Sequence, residues 1–175
     1  MADTTVVLAP LHPVVDLDAV MAVYRRAADY LALESGLTPD AAARAFFDDR
    51  PPASAGEPLK FGVGGEAGPL AAIGDLAFGY PEPGDAYLGL LLLVPEARGR
   101  GLGQAIVGEV QKLAGARGAS RLLVGVLDAN QRARIFWERQ GFRLTRTSGP
   151  HDFGHRRHVV HRLELSLAGA LGTCA

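Results

Sequence analysis

The chain has 175 residues, 48% of them hydrophobic and 21% charged, which is enough apolar material for a full-sized core and too much for a disordered chain. A formal net charge of -1 argues against a nucleic-acid binder that works through a broad basic surface. One cysteine, Cys174, excludes an internal disulfide framework and a cysteine metal knuckle, and a free thiol fits a reducing compartment.

Thr5 to Leu8 reads as a short strand, followed by a turn punctuated by Pro10 and Pro13. The start of the chain lacks a basic segment and a continuous apolar run, so no secretory signal or membrane span is expected, and the location expected is cytoplasmic. Leu17, Val20, Met21, Tyr24, Ala27, Ala28 and Leu31 recur at three- and four-residue intervals, which predicts one amphipathic helix with Asp16 as its N-cap. A second helix begins near Thr38, with Pro39 in its first turn and Ala42, Ala45 and Phe46 on one face, and ends in the loop Asp49 to Pro58. Three extended segments follow, near Leu59 to Val63, Leu70 to Phe78 and Ala86 to Val94, separated by GGEAG and YPEPGD. They predict a meander of antiparallel strands.

Pro95 stops the third of these strands, and a loop alternating glycine with arginine runs into a helix at about Gly101. Leu102, Ala105, Ile106, Val110, Leu113 and Ala114 keep helical spacing until Gly115 and Gly118. Leu122 to Leu127 is then a strand, Asn130 to Gln140 a helix closed by Gly141, and Phe142 to Thr147 a strand. A His- and Gly-rich loop from Ser148 to Arg156 leads to a last strand, Arg157 to Leu167. Strand, helix and strand around the glycine loop imply a right-handed crossover and parallel pairing of 86–94 with 122–127, so the sheet is mixed. No internal repeat or linker divides residues 1–175, which read as one domain.

The glycine loop carries the chemistry. The first amides of a helix have no intrahelical partner and bear partial positive charge, and glycines let an anion approach them. Gly99, Gly101 and Gly103 clear that space while Arg98 and Arg100 add charge, which points to a phosphate-bearing ligand. The dinucleotide fingerprint fails because Ile106 stands where its third glycine belongs, and the mononucleotide loop fails because neither Lys60 nor Lys112 follows a glycine. Arg98-x-x-Gly101-x-Gly103 is what remains, and read by itself it also fits a tight strand-to-helix turn with solvated arginines.

Two separated motifs, that loop with the preceding LLLLVPEA and NQRARIFWERQGF from Asn130 to Phe142, resemble the GNAT superfamily of acyl-CoA-dependent N-acetyltransferases. Asn130, Ala133, Phe136, Trp137, Gly141 and Phe142 fill the second motif in register, and the likeness covers nearly the whole chain. The resemblance implies an α+β fold: a central mixed, mostly antiparallel twisted sheet of six to seven strands, splayed between strands 4 and 5 and flanked by about four helices. It implies acetyl-CoA as cosubstrate, with its pyrophosphate on the amides from Arg98 through Gly99, Arg100, Gly101 and Leu102 to Gly103. The pantetheine arm would lie along Leu93 and Val94 like an added strand, with Asn130 at its side. Asn130 equally reads as an ordinary helix N-cap, and Arg132 and Arg134 as solvated helix arginines or phosphate contacts.

The reaction implied is attack of an amine on the thioester, with a base to deprotonate the amine and the Leu93 or Val94 amide to hold the oxyanion. Many members place a tyrosine acid seven residues after the Asn; Trp137 stands there instead, and indole is no general acid, so packing against the cofactor slot is its expected role. Asp75, Glu82, Asp85, Tyr80, Tyr87, His151 and Asp152 are the candidates for proton transfer, each also readable as a turn or loop residue. His158 and His161, with His151 and His155, form no expected metal site, because odd spacing on an alternating strand sends the first two to opposite faces. The partners expected are acetyl-CoA and an amine acceptor, with no nucleic acid and no membrane; a homodimer through exposed strand edges is compatible with the chain. Tyr30, Phe46, Phe47, Asp48 and Asp49 wall the expected acceptor cleft without a recognisable pattern, so antibiotic, polyamine, amino acid and protein N-terminus are all compatible acceptors. An acyl-CoA sensor of the same fold and a phosphate-loop protein of another fold are the other readings, separable by thiol release from acetyl-CoA and by which nucleotide protects against heat.

Overall fold

The structure, a computed structural model, describes residues 6–52, 55–64 and 68–167. Cys174 and Thr5 lie outside them. The elements in chain order are β1 (Ala9–Pro10), α1 (Leu17–Arg26), α2 (Ala28–Glu34), α3 (Pro39–Asp48), β2 (Leu59–Gly64), β3 (Leu70–Phe78), β4 (Asp85–Leu93), a 3₁₀ turn (Pro95–Ala97), α4 (Leu102–Ala116), β5 (Arg121–Leu127), α5 (Gln131–Arg139), β6 (Arg143–Phe153) and β7 (Arg156–Ser166). The strands form a seven-stranded sheet in the order β1-β2-β3-β4-β5-β7-β6. Its one parallel pair, β4 with β5, is joined by the crossover through α4. This is the mixed, splayed α+β sheet expected.

The sheet separates two apolar layers. Behind it, Ile106, Val107, Val110 and Ala114 of α4 and Trp137 of α5 pack on Phe61, Leu76, Leu88, Leu122 and Val124. In front, Val20, Val23 and Tyr24 of α1 with Ala43, Phe46 and Phe47 of α3 pack on Ile73, Leu92 and Val94. Residues of one strand that face opposite layers should alternate with a period of two, and β4 breaks that rule. Ala86 and Leu88 face the rear layer, but so do Leu91 and Leu93. The register against β3 jumps from Leu76↔Leu88 to Asp75↔Leu90, so Gly89 is the extra residue of a β-bulge.

Four local expectations are corrected. The first helix is two, because the chain leaves helical geometry at the buried Ala27 (φ -99, ψ 40), giving five helices; the apolar spacing runs through the break and does not reveal it. Asp16 makes no side-chain cap, and its Oδ2 instead accepts from the His12 amide at 2.7 Å. The first strand is Ala9–Pro10, paired with Gly62 and Phe61, not a segment ending at Leu8. Pro10 has no N–H for a ladder, which suits a strand at the sheet edge. The supposed loop Ser148 to Arg156 is mostly strand: β6 and β7 form a long hairpin whose register shift between Ser148 and His151 takes up Gly149 and Pro150. Gly154 turns the tip at φ +56, and the His155 amide donates to the Ser35 carbonyl at 2.7 Å, tying the tip to the end of α2.

At the closed end of the parallel pair, Asp85 is 2% exposed and accepts from Arg121 Nε and Nη2 at 2.8 Å each. It also accepts from the Glu82 amide at 3.2 Å. Asp85→Ala is expected to lower unfolding free energy by about 2–3 kcal/mol, since charge-assisted bonds to a buried acceptor are lost. Urea titration checks it, and an unchanged midpoint would show that the clamp contributes nothing.

Candidate functional site

The parallel ladder between β4 and β5 runs only from Asp85↔Arg121 to Leu88↔Val124. Beyond it β5 continues to pair with β7 through Leu127, and β4 with β3 through Leu93. The two strands therefore part at the Gly89 bulge, and a gap opens between their C-terminal halves. The Val94 amide donates to the Ala71 carbonyl at 2.9 Å. In an antiparallel ladder bonded and non-bonded pairs alternate, so the neighbouring Leu93 turns its own N–H and C=O toward the gap. Arg98 Nε donates to that Leu93 carbonyl at 3.0 Å. The Leu93 N–H is left facing the gap, whereas the Val94 amide, the other candidate for an oxyanion donor, is already bonded within the sheet.

The glycine loop sits at the mouth of this gap. Gly99 (φ 72) and Gly101 (φ 82) are left-handed, and a Cβ at either would meet nothing within 4 Å. Gly101 is the N-cap of α4 and no side chain caps the helix; the amides of Gly101, Leu102 and Gly103 reach no acceptor among the described residues. Gly103 has a packing role, since its Cβ would stand 3.3 Å from Phe136 and 3.7 Å from Leu93. Arg98 pairs through both terminal nitrogens with Asp29 of α2, at 3.2 Å for Nη2, and this bond holds the Asp29 carboxyl below its ordinary range. Arg100 is exposed. On the far side, Asn130 caps α5 by accepting from the Ala133 amide at 3.1 Å, Arg134 pairs with Glu138 at 3.0 Å, and Trp137 is 7% exposed between Phe136 and Phe142.

In front of the bulge lies a cleft of about 700 Å³ bounded by α1, α2, α3, β3, β4 and the β6–β7 tip. Asp75 lines it from β3. Its Oδ2 pairs with Lys60 Nζ at 2.9 Å, while its Oδ1 is buried with no hydrogen-bond partner. Burial lifts the Asp75 carboxyl above its ordinary range, and Lys60 opposes that shift. A Cβ at Gly89 would stand 3.3 Å from Asp75 Oδ2, so the carboxylate lies against the bulge itself. Glu34 also lines the cleft; Tyr30 donates to its Oε1 at 2.6 Å, and burial raises its carboxyl as well.

The remaining proton-transfer candidates lie apart from this point. Tyr80 and Tyr87 pack edge to face, and burial raises the Tyr87 hydroxyl; neither lines the cleft, nor does Glu82. His151 is exposed and bonded to Ser148 Oγ at 3.0 Å. Asp152 lines the cleft and pairs with Arg157 at 2.8 Å. His158 reaches the Glu34 carbonyl, whereas His161 lies between Thr147 and Asp128. Sequence reading missed Lys60, Glu34 and Asp29. A lysine and an aspartate standing alone in adjacent apolar strands were a usable signal for the Lys60–Asp75 pair; nothing local marks the other two.

A family model described as the acetyltransferase (GNAT) family matches residues 28–142. Among solved structures, an acetyltransferase from Thermus thermophilus is similar at 27% identity over 95% of this chain and 99% of its own, with a TM-score of 0.74. The ribosomal-protein-S18-alanine N-acetyltransferase from Escherichia coli is similar at 19% identity over 93% and 94%, with a TM-score of 0.66. A GCN5-related N-acetyltransferase from Kribbella flavida follows at 18% identity over 92% and 97%, with a TM-score of 0.65. The last two likenesses concern the fold. Among the described residues no helix is long and apolar enough to cross a membrane.

Proposed function

The chain belongs to the acetyltransferase (GNAT) family, and on that premise we propose that it moves the acetyl group of acetyl-CoA to a primary amine by direct attack on the thioester. The observation that carries this reading is one juxtaposition: unpartnered amides opening α4, a parted strand pair, and a buried carboxylate in front of the bulge. The residues fit the cosubstrate. Left-handed glycines with open space beside them let a diphosphate approach the amides of Gly101, Leu102 and Gly103, with Gly99 and Arg100 beside it, and the gap between β4 and β5 accepts an extended amide chain alongside Leu93. When bound there, acetyl-CoA would supply an activated acyl group alongside Leu93.

Each remaining step falls to a named group. Asp75 takes the proton of the incoming ammonium, which has no free lone pair until it is lost. Lys60 holds Oδ2 at 2.9 Å and so fixes the carboxylate against the bulge. The Leu93 amide donates to the oxygen that becomes negative in the tetrahedral intermediate. Arg98 and Ala71 hold the two ends of the 93–94 peptide, so Arg98 acts as a positioning residue as well as a charge near the diphosphate. Asn130 and Arg134 flank the far side of the gap, and Trp137 forms its packed floor.

Purified protein mixed with acetyl-CoA, an amine panel and a thiol reagent is expected to release thiol in step with amine acetylation. Bound CoA with no thiol released by any amine would favour the sensing alternative. Trp137→Phe is expected to keep transfer within about threefold of the parent, because an aromatic of similar shape conserves the packing at modest cost. A fall to background would instead assign the indole N–H a part in the reaction.

A further inference from the structure

We propose that Asp29, on α2, is a positioning residue for the reaction: through Arg98 it fixes the peptide after Leu93, and with it the aim of the Leu93 amide that meets the oxyanion. This rests on the acyl-transfer reading, which gives that amide its task.

Leu93 is the last residue of β4, and its carbonyl faces the gap from which β5 has already departed, so no strand supplies it a donor. Arg98 Nε does so at 3.0 Å. A long side chain with several rotatable bonds is not settled by one hydrogen bond. Asp29 settles it. Its carboxylate accepts from both Nη1 and Nη2, the latter at 3.2 Å, and such fork-to-fork pairing fixes the plane of the guanidinium as well as its place. With Nε on the strand end and both terminal nitrogens on α2, the rigid planar group passes the placement of the helix to Leu93. The Ala71 carbonyl holds the other end of the same peptide through the Val94 amide at 2.9 Å.

Asp29 is itself anchored. At the corner between α1 and α2, Arg26 donates to the Leu70 carbonyl at 3.0 Å and pairs with Glu96 at 3.5 Å, a second link of opposite polarity to the turn after β4. At the other end of α2, the Glu34 carbonyl lies 2.8 Å from His158 Nε2 and the Ser35 carbonyl accepts from the His155 amide at 2.7 Å. The helix is thus tied at both ends.

The arginine that the glycine-loop motif offers to a phosphate therefore has its fork spent on Asp29. The bond from Arg98 keeps the Asp29 carboxyl below its ordinary range, so the two charges offset each other. Removing the carboxylate has two opposed effects: it loosens the peptide after Leu93, and it frees a full positive charge beside the proposed diphosphate site. Turnover should fall while CoA affinity holds or rises, a split that simple loss of structure would not produce. The pair is also open to solvent, with side chains 26% and 57% exposed, and such pairs contribute little to stability, so thermal melting should hardly move.

The parent is compared with Asp29→Asn, Arg98→Lys, the double variant and Asp40→Asn, a control that breaks a forked pair with Arg44 on α3. CoA and acetyl-CoA affinities are taken by calorimetry, thiol release with the panel amine that reacts fastest, and the Leu93 amide signal by heteronuclear NMR. In the parent, acetyl-CoA is expected to move that signal downfield relative to CoA, since only the acetyl compound brings a thioester carbonyl to it. Asp29→Asn is expected to lower kcat by about tenfold, a fraction of the roughly 10²–10³-fold that a lost oxyanion donor costs, with CoA affinity equal or higher and the acetyl-dependent shift reduced. Arg98→Lys keeps the charge but not the fork and should lower kcat similarly. The double variant should do no worse than the single ones, because both act on one link, and Asp40→Asn should match the parent. Unchanged kcat and shift in Asp29→Asn, additive losses in the double variant, or CoA affinity that falls in step with kcat overturns this proposal and leaves acyl transfer standing. Acetyl-CoA that binds the parent while no panel amine releases thiol overturns the acyl-transfer reading, and this one with it.

Discussion

Asp75→Asn is expected to cut acyl transfer by about 10²–10⁴-fold, the range over which a positioned general base contributes, with CoA affinity retained. The substitution keeps the shape of the side chain and a hydrogen bond to Lys60, so the packing around β2 and β3 should survive. What it removes is the basic oxygen. The pH dependence gives a second reading of the same group. Burial holds the Asp75 carboxyl above its ordinary range against the pull of Lys60, and only its ionised form accepts a proton. Transfer in the parent protein should therefore rise with pH as Asp75 ionises, and that acidic limb should vanish from the residual rate of the variant. Rates of parent and variant within a few-fold at saturating amine, with the same limb in both, would remove Asp75 from the chemistry.

Gly101→Val should lower CoA affinity by at least about 100-fold, combining two physical effects. A side chain with a Cβ at φ 82 is strained by about 1–2 kcal/mol, and its methyls would project into the open space in front of the amides that start α4. Gly108→Ala is the matching control, because a Cβ there also meets nothing within 4 Å but the position lies inside α4. Alanine in a helix interior is favoured over glycine by about 0.5–1 kcal/mol, so this variant should melt higher and bind CoA as the parent does. Calorimetric titration of both with CoA decides the matter: undiminished affinity in a folded Gly101→Val protein would place the diphosphate elsewhere.

Sheet, crossover and glycine loop were legible because each has a local cause. Val94-Pro95 stops a strand, Gly101 marks a helix start, Gly141 a helix stop at φ 92, and the apolar spacing of α4 is continuous. The break at Ala27 was not legible, since a buried alanine carries no signature of leaving helical geometry. Leu88 to Val94 reads as one uninterrupted buried strand, and the bulge at Gly89 shows only once the register against β3 is known. For the site, the proposed nucleotide side rests on neighbours in sequence, so its candidate residues could be named before any fold was known. The cleft depends on partners far apart in the chain: Lys60 with Asp75, Arg98 with Asp29, Glu34 with the hairpin tip through His158 and Ser35. Asp75 stood among seven equal candidates until its contacts separated it from Asp85, a carboxylate of the same type spent on a structural clamp.

The irregularity at Gly89 makes one strand serve two masters. Deleting that single glycine would restore strict alternation and leave every leucine where it is, Leu90 and Leu92 in front and Leu91 and Leu93 behind, because Gly89 is the residue that the pairing with β3 skips. The seam with β5 would then be free to zip shut along its length. Shortening the chain by one residue there should thus keep both layers packed yet close the slot to a ligand, a separation of stability from capture that no exchange of side chains at the same spot would reproduce.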